Sequence, residues 1–312
     1  MHIAIFGATS QIAKDLILSF SENSDYRLTL FARRPDTVRE WLTSKGLLSR
    51  YIVMSFDEFN INQQFDALVN FVGVGNPAQA AAMGASIFDV TLKYDDLALG
   101  YLQSHPDCRY IFLSSGAAYG VNFENPVDEE SNSLIPLNNF QPQDWYSLAK
   151  LHAECRHRAH QNLPIVDIRI FNYFSHTQDM NSRFLITDII RAIKSGDILR
   201  TSSENIVRDF LHPSDFFRLF EALILSSPKN LAVDSYTRAP IDKLSLLSEM
   251  QSHFGLKYEK HGSSLILNAT GPKPFYFSKN RVAKKFGYEP IYTSLDGIIN
   301  EAKKILQSSL SD

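Results

Sequence analysis

The sequence predicts an α/β fold, a doubly wound parallel sheet with a smaller lobe after it. Two observations carry that expectation. Short apolar runs alternate with longer helix-period segments through the first half of the chain. The strand-like runs are apolar almost throughout, as strands of a parallel sheet are when helices cover both faces.

Taken in order, the elements are a strand over 2–6, a helix over 11–21, a strand over 27–31, a helix over 36–43 and strands over 51–54 and 67–72. A helix over 78–102, a strand over 109–113, a helix over 145–161 and a strand over 165–171 complete the alternation. After Phe171 the alternation breaks down. Helices near 184–194 and 213–225 are separated by polar loops and by stretches containing Pro and Gly, such as "NATGPKPFYF". The chain therefore divides into residues 1–171 and a second lobe made mainly of 172–312, with residues from about 206 to 240 returning to the first unit.

Composition narrows the function classes. The 312 residues are 44% hydrophobic, ample for a core, and the net charge of -3 comes from 31 basic and 34 acidic residues scattered along the chain. That pattern offers no basic stripe for a nucleic acid. No apolar run approaches the ~20 residues that cross a bilayer. The N-terminus, "MHIAIFGATSQIA", lacks a basic lead and breaks into polar residues early, unlike an export signal. With only Cys108 and Cys155 there is no disulfide framework, so a reducing, cytoplasmic setting is expected.

The first strand runs into "FGATSQIA", which places Gly7, Ser10 and Ala13 at the spacing of a dinucleotide loop. Gly7 permits the turn and Ala13 is a tolerated small residue, while Ser10 stands where a close-approach glycine is usual. The bland alternative is an ordinary strand-to-helix turn. At the end of the second strand, "LFARRPDT" has no carboxylate for ribose hydroxyls, and Arg33 and Arg34 follow at once. Guanidinium groups suit a 2′-phosphate, so NADP(H) is favoured over NAD(H), the alternative being two surface arginines.

The fifth strand ends in Ser114 and Ser115, at the strand C-termini where ligands of such sheets bind. "DWYSLAKLHAE" then puts Tyr146 and Lys150 at i and i+4 on one helix face. A composition like this one yields Tyr-x-x-x-Lys roughly 0.6 times by chance, so the context has to decide.

That context resembles the extended short-chain dehydrogenases/reductases, the nucleotide-sugar epimerase, dehydratase and reductase family, over nearly the whole chain. "FGATSQIA" resembles the family's glycine loop, "LVNFVGVG" its fourth-strand contact, "LSSGAAYG" its serine segment and "YSLAKLHAE" its Tyr-Lys helix. "RIFNYFS", "VRDFLHPSDF" and "RVAKKFGYEP" resemble its later segments. The resemblance implies a Rossmann-type sheet that binds NAD(P), a C-terminal substrate-binding lobe and a homodimer. It implies Tyr146 as general acid/base, Lys150 as its electrostatic partner and ribose ligand, and Ser115 as donor to the substrate oxygen. Gly7, Thr9, Ser10, Gln11, Ile12, Arg33, Arg34, Phe71, Val72, Gly73, Tyr146, Lys150 and Phe171 would contact the cofactor. Asn172 and Arg208 would contact the nucleotide-diphosphate sugar, the alternatives for Arg208 being a salt bridge with Asp209 or a loop anchor. A fixed ammonium near Tyr146 would lower the phenol's pKa from ~10.

Gly116, Ala117 and Ala118 stand where dehydrating relatives carry an acid, and neither cysteine matches the position of a second epimerising group. Simple hydride chemistry remains. The Arg33–Arg34 pair favours NADPH-dependent reduction of a 4-keto sugar. The alternatives are an NAD-dependent 4-epimerase and a non-catalytic NADP-binding regulator, against which the Ser115, Tyr146 and Lys150 set argues. Other departures are Asp89, in a region where the family often has asparagine, and "VGVGNP". The cluster His152, Cys155, His157 and His160 spreads around its helix and is read as a solvated face rather than a metal site.

Overall fold

The computed structural model describes residues 1–22, 25–75, 77–120, 123–142, 144–262 and 273–308. Its central sheet has seven parallel strands: β1 (His2–Phe6), β2 (Arg27–Ala32), β3 (Ile52–Ser55), β4 (Ala67–Asn70), β5 (Arg109–Ser115), β6 (Ile165–Ile170) and an edge strand, Leu231–Asp234. Their order is edge strand, β6, β5, β4, β1, β2, β3. The chain reverses its direction of winding between β1 and β4, and that switch opens a crevice above the strand C-termini.

Alternation along each strand feeds two cores. Ile3 and Ile5 of β1 face one layer with Leu16, Ile17 and Phe20 of α1 (Gln11–Ser21). Ala4 and Phe6 face the other, with Ala98, Leu99 and Leu102 of the long helix below and Ala153 of the tyrosine helix. After α2 (Pro35–Ser44), the single helix expected over 78–102 is two, α3 (Pro77–Met83) and α4 (Ser86–Ser104). The break falls at Gly84, whose φ of +55° is left-handed and ends the first helix. β4 also stops two residues earlier than the apolar pattern suggests, because the Asn70 side chain takes the Val72 N–H at 2.8 Å and turns the chain out of the ladder.

α5 (Asp144–Ala159) carries the Tyr-Lys pair. Beyond β6, α6 (Leu185–Ser195), α8 (Lys243–Phe254) and α9 (Ser294–Ser308) enclose a separate core around Ile186, Ile189, Leu247, Met250 and Ile298. α7 (Pro213–Leu225) instead packs Phe216, Leu219, Phe220 and Leu223 into the α1 layer, and the chain then runs into the edge strand beside β6. Two short pairings tie the lobe to the site: Asn172–Tyr173 with Phe210–Leu211, and Phe275–Tyr276 with Val207–Arg208. No helix among the described residues is long and apolar enough to cross a membrane.

Candidate active site

Gly7 makes the turn off β1 with φ of +80°, its N–H bonded to Phe31 O at 2.9 Å. A Cβ there would stand 3.0 Å from both the Phe71 carbonyl carbon and the Val72 nitrogen, so the loop lies hard against the exit of β4. Gly7→Ala therefore combines a left-handed backbone with a backbone clash. We expect a loss of about 1–2 kcal/mol in urea unfolding and weaker NADH binding by calorimetric titration. Ser10, extended at φ -63° and ψ 143°, precedes α1 without a side-chain cap, and the first turn holds no acidic residue. The amide groups of that helix end are left to an anion. The turn thus fits a dinucleotide pyrophosphate despite the missing second glycine. Ile12 packs into the sheet layer, whereas Gln11 is drawn away by a 2.9 Å bond to Ser175. Thr9, Arg33 and Arg34 are exposed.

Ser115 ends β5 above the crevice. Its hydroxyl accepts the Ala117 N–H at 3.2 Å, lies 3.3 Å from the Tyr276 hydroxyl and sits close enough to the Tyr146 phenol to oppose the rise that burial gives its pKa. Two of the three residues expected to do chemistry, Ser115 and Tyr146, thus come to the same place. Lys150, buried on the same helix face, donates to Leu113 O at 2.7 Å and lies over the Phe112 ring, with its ammonium 3.3 Å from where a Gly73 Cβ would be. It holds the helix to the sheet beside the β4 exit, next to Val72 and Gly73.

Here the structure departs from the sequence expectation. Burial raises the Tyr146 pKa, and the Ser115 hydroxyl, rather than the Lys150 ammonium, is what opposes the rise. Burial also lowers Lys150 to about 8, with Glu154, Asp167 and Asp95 supporting its charge.

Those carboxylates belong to a buried network missed at the sequence level. Glu154, one turn beyond Lys150, accepts Ser114 Oγ at 2.5 Å and the Arg169 guanidinium at 2.5–3.1 Å. Asp234, on the edge strand, accepts Tyr119 at 2.9 Å and Ser278 at 2.6 Å. His157, expected on a solvated face, is fully buried, its two ring nitrogens 2.6 Å from Asp167 and 2.7 Å from Asp95. Two carboxylates can only accept, so the ring between them donates from both nitrogens and is the imidazolium. Burial works against that charge, but the two carboxylates outweigh it and raise the pKa to about 9. Asp95 also takes Tyr110 at 2.9 Å, and Tyr110 in turn receives Asn70, the residue that turns the chain at Val72. One chain of hydrogen bonds thus links α5, α4 and the β4 exit. The signal available in sequence was the Tyr146, Lys150, Glu154 spacing on one helix face, together with Asp167 and Arg169 inside an otherwise apolar strand.

On the lobe side, Arg208 makes no salt bridge with Asp209, whose carboxylate is taken by Thr237 and Ser294. Arg208 Nη1 donates to Val207 O and Lys273 O, both at 2.8 Å, while its buried Nη2 has no partner among the described residues. Burial lowers its pKa to about 10. Lys273, unmarked by any sequence signal, brings its ammonium to 4.9 Å from the centres of both the Phe123 and Tyr276 rings. Burial, and then the nearby Arg208, lower it to about 8. Asn172 is tied to Asp209 O and Tyr276 O, and Phe171 packs on the Tyr119, Phe123 and Tyr276 rings. The acidic run Asp128 to Glu130 is exposed loop, and Asp89 is exposed in the first turn of α4.

Residues 3–233 match the NAD dependent epimerase/dehydratase family. The chain belongs to this family. A curated relative, UDP-glucuronate 4-epimerase 6 of Arabidopsis thaliana, is 25% identical over 207 residues, 60% of this chain and 43% of the relative. The chain thus spans less than half the length of that protein. Among solved structures, a UDP-glucuronic acid 4-epimerase from Bacillus cereus with UDP-glucuronic acid and NAD has a TM-score of 0.77 at 17% identity, covering 99% of this chain and 100% of that one. A UDP-N-acetylglucosamine 4-epimerase from Methanobrevibacter ruminantium reaches 0.81 at 16%, covering 99% and 98%. A dTDP-glucose 4,6-dehydratase from Bacillus anthracis reaches 0.75 at 14%, covering 100% and 98%. At these identities the likeness is one of fold. The epimerase/dehydratase membership and the Rossmann-type sheet are as the sequence motifs imply.

Proposed function

We propose that this epimerase/dehydratase family chain is a nucleotide-sugar 4-epimerase that uses NAD, with Tyr146 and Ser115 acting at the C4 oxygen. The observation that carries the reading is the approach of the Ser115 hydroxyl to the Tyr146 phenol at the C-terminal end of the sheet, with the buried, partly unpartnered Arg208 guanidinium on the lobe side. The curated relative and two of the solved structures above are 4-epimerases, which favours this reaction over net reduction. The segment after Ser115 is Gly116, Ala117 and Ala118, with no acid for dehydration. Phe171 fills the space there: a Gly116 Cβ would come 2.4 Å from its ring.

Bound NAD supplies a hydride acceptor and, once reduced, a donor. The residues do the rest. Tyr146 in its deprotonated form, which burial disfavours and the Ser115 hydroxyl supports, takes the proton from the C4 hydroxyl as that carbon becomes a ketone, and gives it back when the other face is reduced. Ser115 donates to the same oxygen while it carries negative charge. Lys150, fixed to Leu113 O beside Gly73, is placed for the cofactor's ribose. Arg208 and Lys273 would neutralise a diphosphate: a buried guanidinium with a free donor and a half-buried ammonium suit a dianion.

Lys273→Met is expected to weaken UDP binding by about tenfold to a hundredfold, since one charged hydrogen bond contributes about 1.5–3 kcal/mol. In the wild type, UDP affinity should fall as pH rises above about 8, where Lys273 loses its proton, and the variant should lack that fall. Titration calorimetry from pH 7 to 9.5 measures both.

A second reading, NADPH-dependent reduction of a 4-keto sugar, rests on Arg33 and Arg34 at the end of β2. Titration with NADH and NADPH separates the two, because a clear preference for NADPH would favour the reductase. The epimerase is tested by adding NAD with UDP-glucuronate, UDP-glucose or UDP-N-acetylglucosamine and resolving the C4 epimers. NADPH oxidation by a nucleotide-linked keto sugar, with no epimer formed from any of the three, would replace it. The proposal keeps a cytoplasmic homodimer, which fractionation and analytical ultracentrifugation check.

A further inference from the structure

Tyr276 lies far from Ser115 in sequence, yet its hydroxyl is 3.3 Å from the serine's. We propose that Tyr276 is a positioning residue that aims the single hydrogen of Ser115 at Tyr146 and at the oxygen on which Tyr146 acts.

The argument counts donors and acceptors. A serine hydroxyl has one hydrogen and two lone pairs, and a backbone N–H can only donate. The Ala117 N–H donates to Ser115 Oγ at 3.2 Å and so fills one of its two lone pairs. If Ser115 donated to Tyr276, the phenol's own hydrogen would need another acceptor. Among the described residues Ser115 Oγ is the only group within hydrogen-bond distance of the phenol oxygen, and the nearby Arg208 guanidinium and Lys273 ammonium cannot accept. The phenol hydrogen therefore goes to Ser115. With Ala117 and Tyr276 filling both lone pairs, the serine hydrogen is left for Tyr146, whose burial-raised pKa the Ser115 hydroxyl opposes. The donors then run one way, from the Ala117 amide and the Tyr276 phenol into Ser115 and from Ser115 towards Tyr146, and each polarises the next.

The lobe holds Tyr276 in place. Its short strand pairs with Val207–Arg208, the Phe275 N–H bonds Phe123 O at 3.0 Å, and its ring lies against Phe123 at 4.7 Å and Phe171 at 5.3 Å. Burial raises the phenol's pKa, so it keeps the proton it donates. A residue of the second lobe thereby sets the direction of a hydrogen bond on the sheet, and lobe and catalytic groups are coupled.

The inference rests on the proposed role of Tyr146, but its test needs neither substrate nor cofactor. A 3,5-difluorotyrosine at position 146, whose phenol titrates near neutral pH, gives one fluorine signal in the full-length chain. Its midpoint is followed by NMR in the otherwise wild-type chain and in Tyr276→Phe, Ser115→Ala and the double variant. The chain of donors predicts that Tyr276→Phe raises the midpoint by at least about 0.5 pH unit. Ser115→Ala should raise it as much or more, and the double variant no further than Ser115→Ala alone. An unmoved midpoint in Tyr276→Phe, with its melting temperature at the wild-type value, would reduce Tyr276 to packing and overturn the proposal. Shifts that add in the double variant would also overturn it, because Tyr276 would then not act through Ser115. Either failure leaves the 4-epimerase reading to its own turnover assay.

Discussion

Tyr146→Phe is expected to lower epimerisation by at least about a thousandfold while leaving NAD affinity within about twofold of wild type. General acid–base catalysis contributes about 10²–10⁴-fold where one positioned group moves the proton. Phenylalanine keeps the ring and removes only the hydroxyl. No other phenol can substitute, because in the donor order proposed above Tyr276 spends its hydrogen on Ser115. Chromatographic separation of C4 epimers, with calorimetric NAD titration of the same preparation, reads both quantities. Turnover within tenfold of wild type would remove Tyr146 from the chemistry.

The largest effect on stability is expected at His157. His157→Gln replaces a fully buried cation between Asp95 and Asp167 with a neutral amide, leaving two buried carboxylates undercompensated. Removing one partner of a buried ion pair costs about 3–5 kcal/mol, and a loss in that range at pH 6 in urea unfolding is the expected result. The pH dependence follows from linkage. The folded pKa of about 9 lies above the unfolded value of 6.5, so the stabilisation is complete below pH 6.5 and disappears as pH rises through 9. The shift corresponds to about 3 kcal/mol. Lys150 and Lys273 oppose it, because their folded pKa values are lowered to about 8 and their deprotonation favours the folded chain as pH climbs further. The clean quantity is therefore the difference between wild type and His157→Gln, which should shrink between pH 6.5 and 9. A constant difference across that window would mean that the ring is not charged in the folded state.

The sheet was legible because strands buried on both faces must be apolar. Six of its seven strands follow from runs such as "HIAIF" and "RYIFL", within one or two residues at either end. The edge strand Leu231–Asp234 was hidden, since its short run has no alternation around it to mark it. Gly84 escaped for a related reason: a helical pattern tolerates one glycine, and only the backbone angle shows that here it ends a helix. Ser115, Tyr146 and Lys150 were readable because the family resemblance fixes their order along the chain. Tyr276 and Lys273 were not. They reach the site through a two-residue pairing with Val207–Arg208, a contact that leaves no periodicity in the sequence. His157 was misread because a histidine among charged residues on a helix usually faces water. What buries it is the pair Asp95 and Asp167, on elements that sequence order keeps far from each other.

The measurement that bears most directly on the central claim uses UDP-glucuronate, UDP-glucose and UDP-N-acetylglucosamine, each deuterated at C4 and incubated with the enzyme and NAD. Hydride removed from C4 and returned to its opposite face predicts that at least one sugar gives its C4 epimer with the deuterium still on C4, and that Tyr146→Phe gives none. Epimer that has exchanged its deuterium for solvent hydrogen, or no epimer from any of the three, would contradict it.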